Sequence, residues 1–436
     1  MKAPTPARPK TLKLRPEDWV HSTGKRALLL SNERRLEGLP GRLARLRKKG
    51  WGKHFPDLGP SLDALVEAGQ NLPQEILHDP CLQGWLALAE ESLERPPSES
   101  EQLRRMLLAQ IHGLAAALAL GEGRAIVIST LLDQEGHFHL HGAGSYLDFG
   151  KTAALAPARL TLAPDVDRHD AFRREPAIME GIDATCCDPL LMPALTRELG
   201  PKEHPVASFS PKEMNKYVSV LRKGIAEIEA VDPLQAAELC DGIKMIVPLE
   251  RKITDAHVSS TYSHLRGAIY LCHDASPVLQ AETLVHEFSH DKLNAFLEIE
   301  PCFKGRESDA LYFSPWRPDP RTLRGILLGA HAFLNVARFL ASVAATKMGE
   351  RMRKSLQTDS AMRCLQVGEA LDALDAHAEL TPMGAGLCRA MRASQEAVVS
   401  KLPPKPGGIW GAAGEPVANH SGRYRASDRW FHKQSV

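Results

Sequence analysis

Cysteine is scarce in this chain and scattered along it. Eight occur among 436 residues. Cys81, Cys240, Cys272, Cys302, Cys364 and Cys388 stand far apart, and Cys186 and Cys187 are adjacent. Such spacing suits neither a disulfide framework nor a zinc finger. An excess of charge of one sign is also missing: 54 Lys and Arg face 53 Asp and Glu. No global field therefore draws in nucleic acid or an anionic membrane. No apolar stretch follows a basic start, which argues against a secretory signal. The most apolar segment, 106–120, carries Gln110 and His112 and is too short for a bilayer. These absences set the expectation of a reduced, cytoplasmic protein with neither nucleic acid nor membrane as partner.

What is present is a globular composition. Hydrophobic residues make up 43% and charged residues 25%, enough to bury a sizeable core. Residues 1–20 read as a disordered basic arm. A helical N-terminal region is expected over 21–123, with apolar residues at helical spacing in 26–47, 61–93 and 98–120. A catalytic body follows over 124–400. It should open with a hairpin of strands 125–132 and 137–147 and continue with a helix over 211–240 and strands at 243–249 and 267–272. Long helices are expected over Pro277–Ile299, 320–347 and 360–380. Residues 401–436, rich in Pro and Gly, read as a flexible C-terminal arm. The expected fold is α+β and mainly helical, with a small β-sheet packed against the helix that carries the motif below.

That motif is His286-Glu287-Phe288-Ser289-His290. Positions i and i+4 lie one above the other on a helix, so both imidazoles can reach one cation. Ser276 can cap the helix and Pro277 suits its first turn. Leu279, Leu293 and Leu297 share the face and turn it inward. Glu287 sits one residue round, where a zinc peptidase keeps its general base.

A second helix adds to the pattern. It starts at Asp319-Pro320, and Arg324, Leu328, His331, Asn335 and Arg338 fall on one stripe. Polar groups at that spacing are costly to bury unless paired, which makes His331 a candidate third ligand. Glu298, Glu300 and Glu307 remain alternatives for that place. Gly325 and Gly329 allow another backbone to approach. Arg317, Arg321 and Arg324 bring three guanidinium forks near the expected site, suited to holding a carboxylate.

At these residues the chain resembles a known family. Ser259-Ser260 ahead of Gly267-Ala268-Ile269-Tyr270-Leu271, the 284–297 segment, Ser314-Pro315-Trp316-Arg317 through Arg324-Gly325, 329–337 and Leu380-Thr381-Pro382-Met383-Gly384 are similar to the HExxH-motif peptide-modification proteins. Weaker likeness lies at 79–85 and 136–142, so the resemblance spans about 79 to 397. It implies iron(II)- and 2-oxoglutarate-dependent hydroxylation of a side-chain β-carbon in a ribosomally made precursor peptide. It further implies iron at His286 and His290, with His331 as third protein ligand, and Arg317, Arg321 or Arg324 pairing the far carboxylate of 2-oxoglutarate. Glu287 would then orient a ligand or water.

Two other readings stay open on the residues themselves. One is a zinc-dependent peptidase with Glu287 as base. The other is a non-catalytic scaffold that binds a leader peptide, for which the strand at 267–272 could receive an extended segment.

Overall fold

The computed structural model describes residues 15, 20, 24–46, 48, 58–68, 72–94, 110–132, 135–152, 156–185, 206–251, 258–263, 265–305, 310–346, 348–406 and 408–424. Among these residues the protein is mixed α+β and mainly helical, with three small sheets. It divides into two compact units: Lys25–Ala295, and Met1–Gly24 with Phe296–Val436. The boundaries expected at 123 and 400 do not coincide with this division. The arm at 1–20, apart from residues 15 and 20, lies outside the described residues, as does the first part of the helix expected over 98–120.

Among the described residues, the first unit carries all ten strands. β1 (Ile126–Leu132) pairs antiparallel with β4 (Ala156–Leu162). β2 (His137–Leu140), β3 (Ser145–Asp148) and β5 (Phe172–Arg174) form a second antiparallel sheet. The third sheet contains β6 (Ala177–Met179), β7 (Ile182–Ala184), β8 (Met245–Leu249), β9 (Ser259–Thr261) and β10 (Ala268–Cys272), in the order β6-β7-β8-β10-β9. β8 and β10 run parallel. Their near-continuous apolar runs, MIVPL and AIYLC, are those of strands covered on both faces.

The expected hairpin is replaced by a different pairing. The segment 137–147 is itself a hairpin, because Gly142 at φ 82° and Gly144 at φ 56° turn the chain between β2 and β3. Side chains disfavour that backbone region, so the glycines set the turn where alternation suggested one long strand. β1 is left to pair with β4.

Helices α1 (Gly24–Arg35), α2 (Leu39–Leu46), α3 (Leu58–Ala68), α4 (Gln74–Leu77), α5 (Pro80–Glu94) and α6 (Gln110–Gly121) precede the strands. Leu43, Leu65, Leu82, Trp85 and Ile111 from this group bury in one cluster with Val247 and Tyr270 of the third sheet. The helix expected over 211–240 is two helices, α7 (Pro211–Val231) and α8 (Pro233–Gly242). Pro233 has no N–H to continue the ladder, and the Asp232 side chain caps the new start by accepting from Gln235 N–H at 3.1 Å. α9 (Pro277–Ile299) is the motif helix.

The second unit is built from α10 (Leu323–Ala344), α11 (Glu350–His377), α12 (Pro382–Val399) and α13 (Gly408–Tyr424). Residues from 401 onward were expected as an extended arm. Gly408–Tyr424 of this stretch form α13 instead, whose Ile409, Trp410 and Ala413 pack with Ala337, Ala361 and Cys364, and residues 425–436 lie outside the described residues. α10 is long and apolar enough to cross a bilayer, the only such helix among the described residues, but most of it is buried as in a core helix.

Candidate metal centre

α9 begins where a cap is available: Ser276 Oγ accepts the Leu279 N–H at 3.4 Å. It then buries Ala281, Leu284, Val285, Phe288 and Leu293 completely or nearly so. Leu279, expected on the inward face, is exposed, because it belongs to the first turn ahead of that buried run.

The two motif histidines do meet. His286 Nε2 and His290 Nε2 are 3.0 Å apart with their rings nearly perpendicular. Two imidazoles about 2.1 Å from one cation at a right angle would place their nitrogens about 3.0 Å apart. The spacing also suits an N–H···N hydrogen bond between neutral rings, so the pair can rest without a cation and receive one with little movement. Burial pushes the His290 imidazole down to about 4, so it is neutral at physiological pH with a lone pair to offer. On donor set and separation, the residues fit a divalent transition metal.

Glu287 is engaged elsewhere. Ser259 Oγ donates to Oε1 and Thr261 Oγ1 to Oε2, both at 2.6 Å. Residues i and i+2 of a strand present their side chains to one face, so β9 holds the carboxylate with both hydroxyls at once. Burial raises its pKa against the lowering effect of these two bonds. Next along α9, Asp291 accepts from Arg266 Nη1 at 2.8 Å and from the Gly267 N–H at 3.0 Å, fixing the helix to the chain entering β10. Lys292 reaches Glu238 at 2.7 Å. The histidine pair thus sits between two polar fastenings, Glu287 to β9 and Asp291 to the start of β10.

The remaining expected residues belong to the second unit. His331 is fully buried in α10 and its carbonyl accepts from Asn335 Nδ2. Arg317 Nε and Arg321 Nη2 both pair with Asp319, at 3.1 and 2.6 Å. Arg324 lies in the first turn of α10. Glu298 and Glu300 lie at and beyond the end of α9, whereas Glu307 is outside the described residues. No known family model or curated protein matches this chain.

β10 cannot take an extended peptide, as β8 and β9 already occupy its two edges. Among the described residues, β9 is an outer strand of that sheet. Gly329 does permit a close approach, but by the ring of Trp316 and not by a backbone.

A second grouping escaped the sequence analysis. Asp79, Cys81 and His141 bring a carboxylate oxygen, a sulfur and an imidazole nitrogen within 4.8 Å of one another. The Asp-x-Cys spacing was visible, but nothing local tied it to a histidine on a distant turn.

Proposed function

We propose that the protein is an iron(II)- and 2-oxoglutarate-dependent hydroxylase of a side-chain β-carbon in a ribosomally made peptide. The observation that carries this reading is the convergence of His286 and His290 to 3.0 Å on one helix. Bound iron with 2-oxoglutarate would supply the oxidising power for hydroxylating an unactivated C–H bond. His286 and His290 would hold the metal. α9 against β9 and β10 is the zincin-like part of this arrangement.

The hydrogen bonds of Glu287 support the oxygenase over the peptidase. Glu287 is 3% exposed and each of its oxygens accepts a hydroxyl proton from β9, which favours a positioning role over that of a base open to water. Glu287 is then a positioning residue. The outer edge of β9 is where an extended precursor peptide would add.

The test is optical. Oxygen-free protein loaded with iron(II) and then given 2-oxoglutarate should develop a weak visible charge-transfer band that needs both components. The band should vanish in His286→Ala. Zinc retained, no band, and peptide cleavage stopped by Glu287→Gln would replace this reading with the zinc peptidase. No metal bound, with function intact in His286→Ala, would leave a leader-peptide scaffold.

A further inference from the structure

A cavity of about 500 Å³ opens in the first unit, lined in part by Asp79, Cys81, His139, His141, Glu175 and Asp183. It is built where the N-terminus of α5 meets the turn between β2 and β3. Asp79 caps α5: its Oδ1 accepts the Cys81 N–H at 2.7 Å. The same carboxylate receives the Cys81 thiol and a backbone bond from Gly142. One residue before Gly142, the chain presents His141. Gly113 of α6 packs so closely here that an added Cβ would lie 2.2 Å from the His139 carbonyl oxygen and 2.8 Å from His141 Cδ2. The histidine is held by its backbone and by a helix at its back.

Three features point to a cation. Asp79, Cys81 and His141 are 8%, 5% and 7% exposed, yet they bring oxygen, sulfur and nitrogen donors together. Among the described residues, no hydrogen bond reaches the His141 ring nitrogens, so a buried imidazole keeps its lone pair unused. The surroundings are also acidic. Glu175, which accepts from Thr185 Oγ1 at 2.9 Å and pairs with His139 at 3.4 Å, lies beside Asp183. Asp183 is pushed up to about 6 by burial and by the charges of Glu175 and Asp79. Lys244 and Arg174 also line the cavity and offset part of this charge.

We propose that Asp79, Cys81 and His141 form a second metal site, for a zinc-type divalent ion, with its fourth position open to the cavity. Mixed S, N and O donors suit zinc, and three protein ligands beside a cavity are the pattern of a site that keeps a place for water or a small ligand. Ligand atoms around tetrahedral zinc stand about 3.5 Å apart, so shifts of roughly 1 Å from the present arrangement would close the site. Binding releases the Cys81 thiol proton to solvent and leaves a thiolate on the metal.

Cobalt(II) titrated into the full-length His286→Ala/His290→Ala variant tests the site apart from the first pair. One cobalt per chain should bind, with a near-ultraviolet thiolate-to-cobalt band that is lost in Cys81→Ser and weakened in His141→Ala. In the unaltered chain, zinc should slow iodoacetamide labelling of Cys81 at least about tenfold, and a chelator should restore it, as read by peptide mass spectrometry. A cobalt band that persists in Cys81→Ser would overturn the proposal. So would Cys81 labelling that zinc leaves unchanged, and this arm holds even where a variant fails to fold.

Discussion

Arg266 and Asp291 form an ion pair in which each side chain is 1% exposed, with Nη1 2.8 Å from Oδ1. The aspartate also takes the Gly267 N–H, and the same Nη1 reaches the Asp291 carbonyl at 2.9 Å. The chain entering β10 is therefore fastened to α9 one residue beyond His290. Removing one partner leaves a buried charge without compensation, which costs about 3–5 kcal/mol. Asp291→Ala is expected to lose that much in chemical denaturation. A loss under about 1 kcal/mol would show that the pair is not the fastening described.

Gly329 and Gly325 look alike in sequence and should behave differently. A Cβ at 329 would stand 2.1 Å from Trp316 Cζ2, whereas one at 325 meets Arg321 Cβ at 3.3 Å. Gly329→Ala must displace the indole and should destabilise by about 1–3 kcal/mol, with a shift in tryptophan fluorescence. Gly325→Ala should be close to neutral, since helix propensity favours Ala by up to about 1 kcal/mol. Equal effects at the two sites would contradict the packing.

Three thiols of the second unit should be slow to react. Burial pushes Cys302 and Cys364 up to about 12 and Cys388 up to about 11. At pH 8 their thiolate fractions fall at least about a hundredfold below that of an ordinary cysteine. Alkylation in the folded protein should be slower by at least that factor than in denaturant, checked peptide by peptide.

Glu90 gives a pH dependence of definite sign. Its hydrogen bonds to Arg42 at 2.7 and 2.8 Å, helped by Arg45, lower its pKa despite partial burial. The stabilisation is fully present above the unfolded value, about 4.3, and is lost as pH falls through the lower folded value. The pair is one-third exposed on the glutamate side, so the effect should stay within about 1 kcal/mol. Urea denaturation from pH 6 to 3 should show a shallower acid loss in Glu90→Gln than in the parent chain.

The sequence was most readable where one strong local signal met no competitor. α9 follows from Ser276, Pro277 and helical apolar spacing, and the approach of its two histidines follows from i and i+4. α10 shows the limit. Asp319-Pro320 is a plausible start, but Arg321 exchanges both backbone hydrogen bonds with Tyr312, at 2.8 and 2.9 Å. The chain stays extended until Thr322 caps the helix. α13 was hidden by its glycines and Pro416, which outweighed the helical spacing of Ile409, Trp410, Ala413 and Val417. The Asp79–Cys81–His141 group was out of reach because it depends on a turn docking against a helix far away in the chain.

Asp79 has two duties in the fold described here: it starts α5, and it contributes an oxygen to the donor group. The first turns of α5 carry Leu82, Trp85 and Leu86 into the main cluster of the first unit. An ion captured at its N-terminus would therefore add to the cohesion of that core by mass action, about 2.7 kcal/mol at a free concentration one hundred times the dissociation constant. The melting temperature of the protein would then serve as a gauge of metal supply.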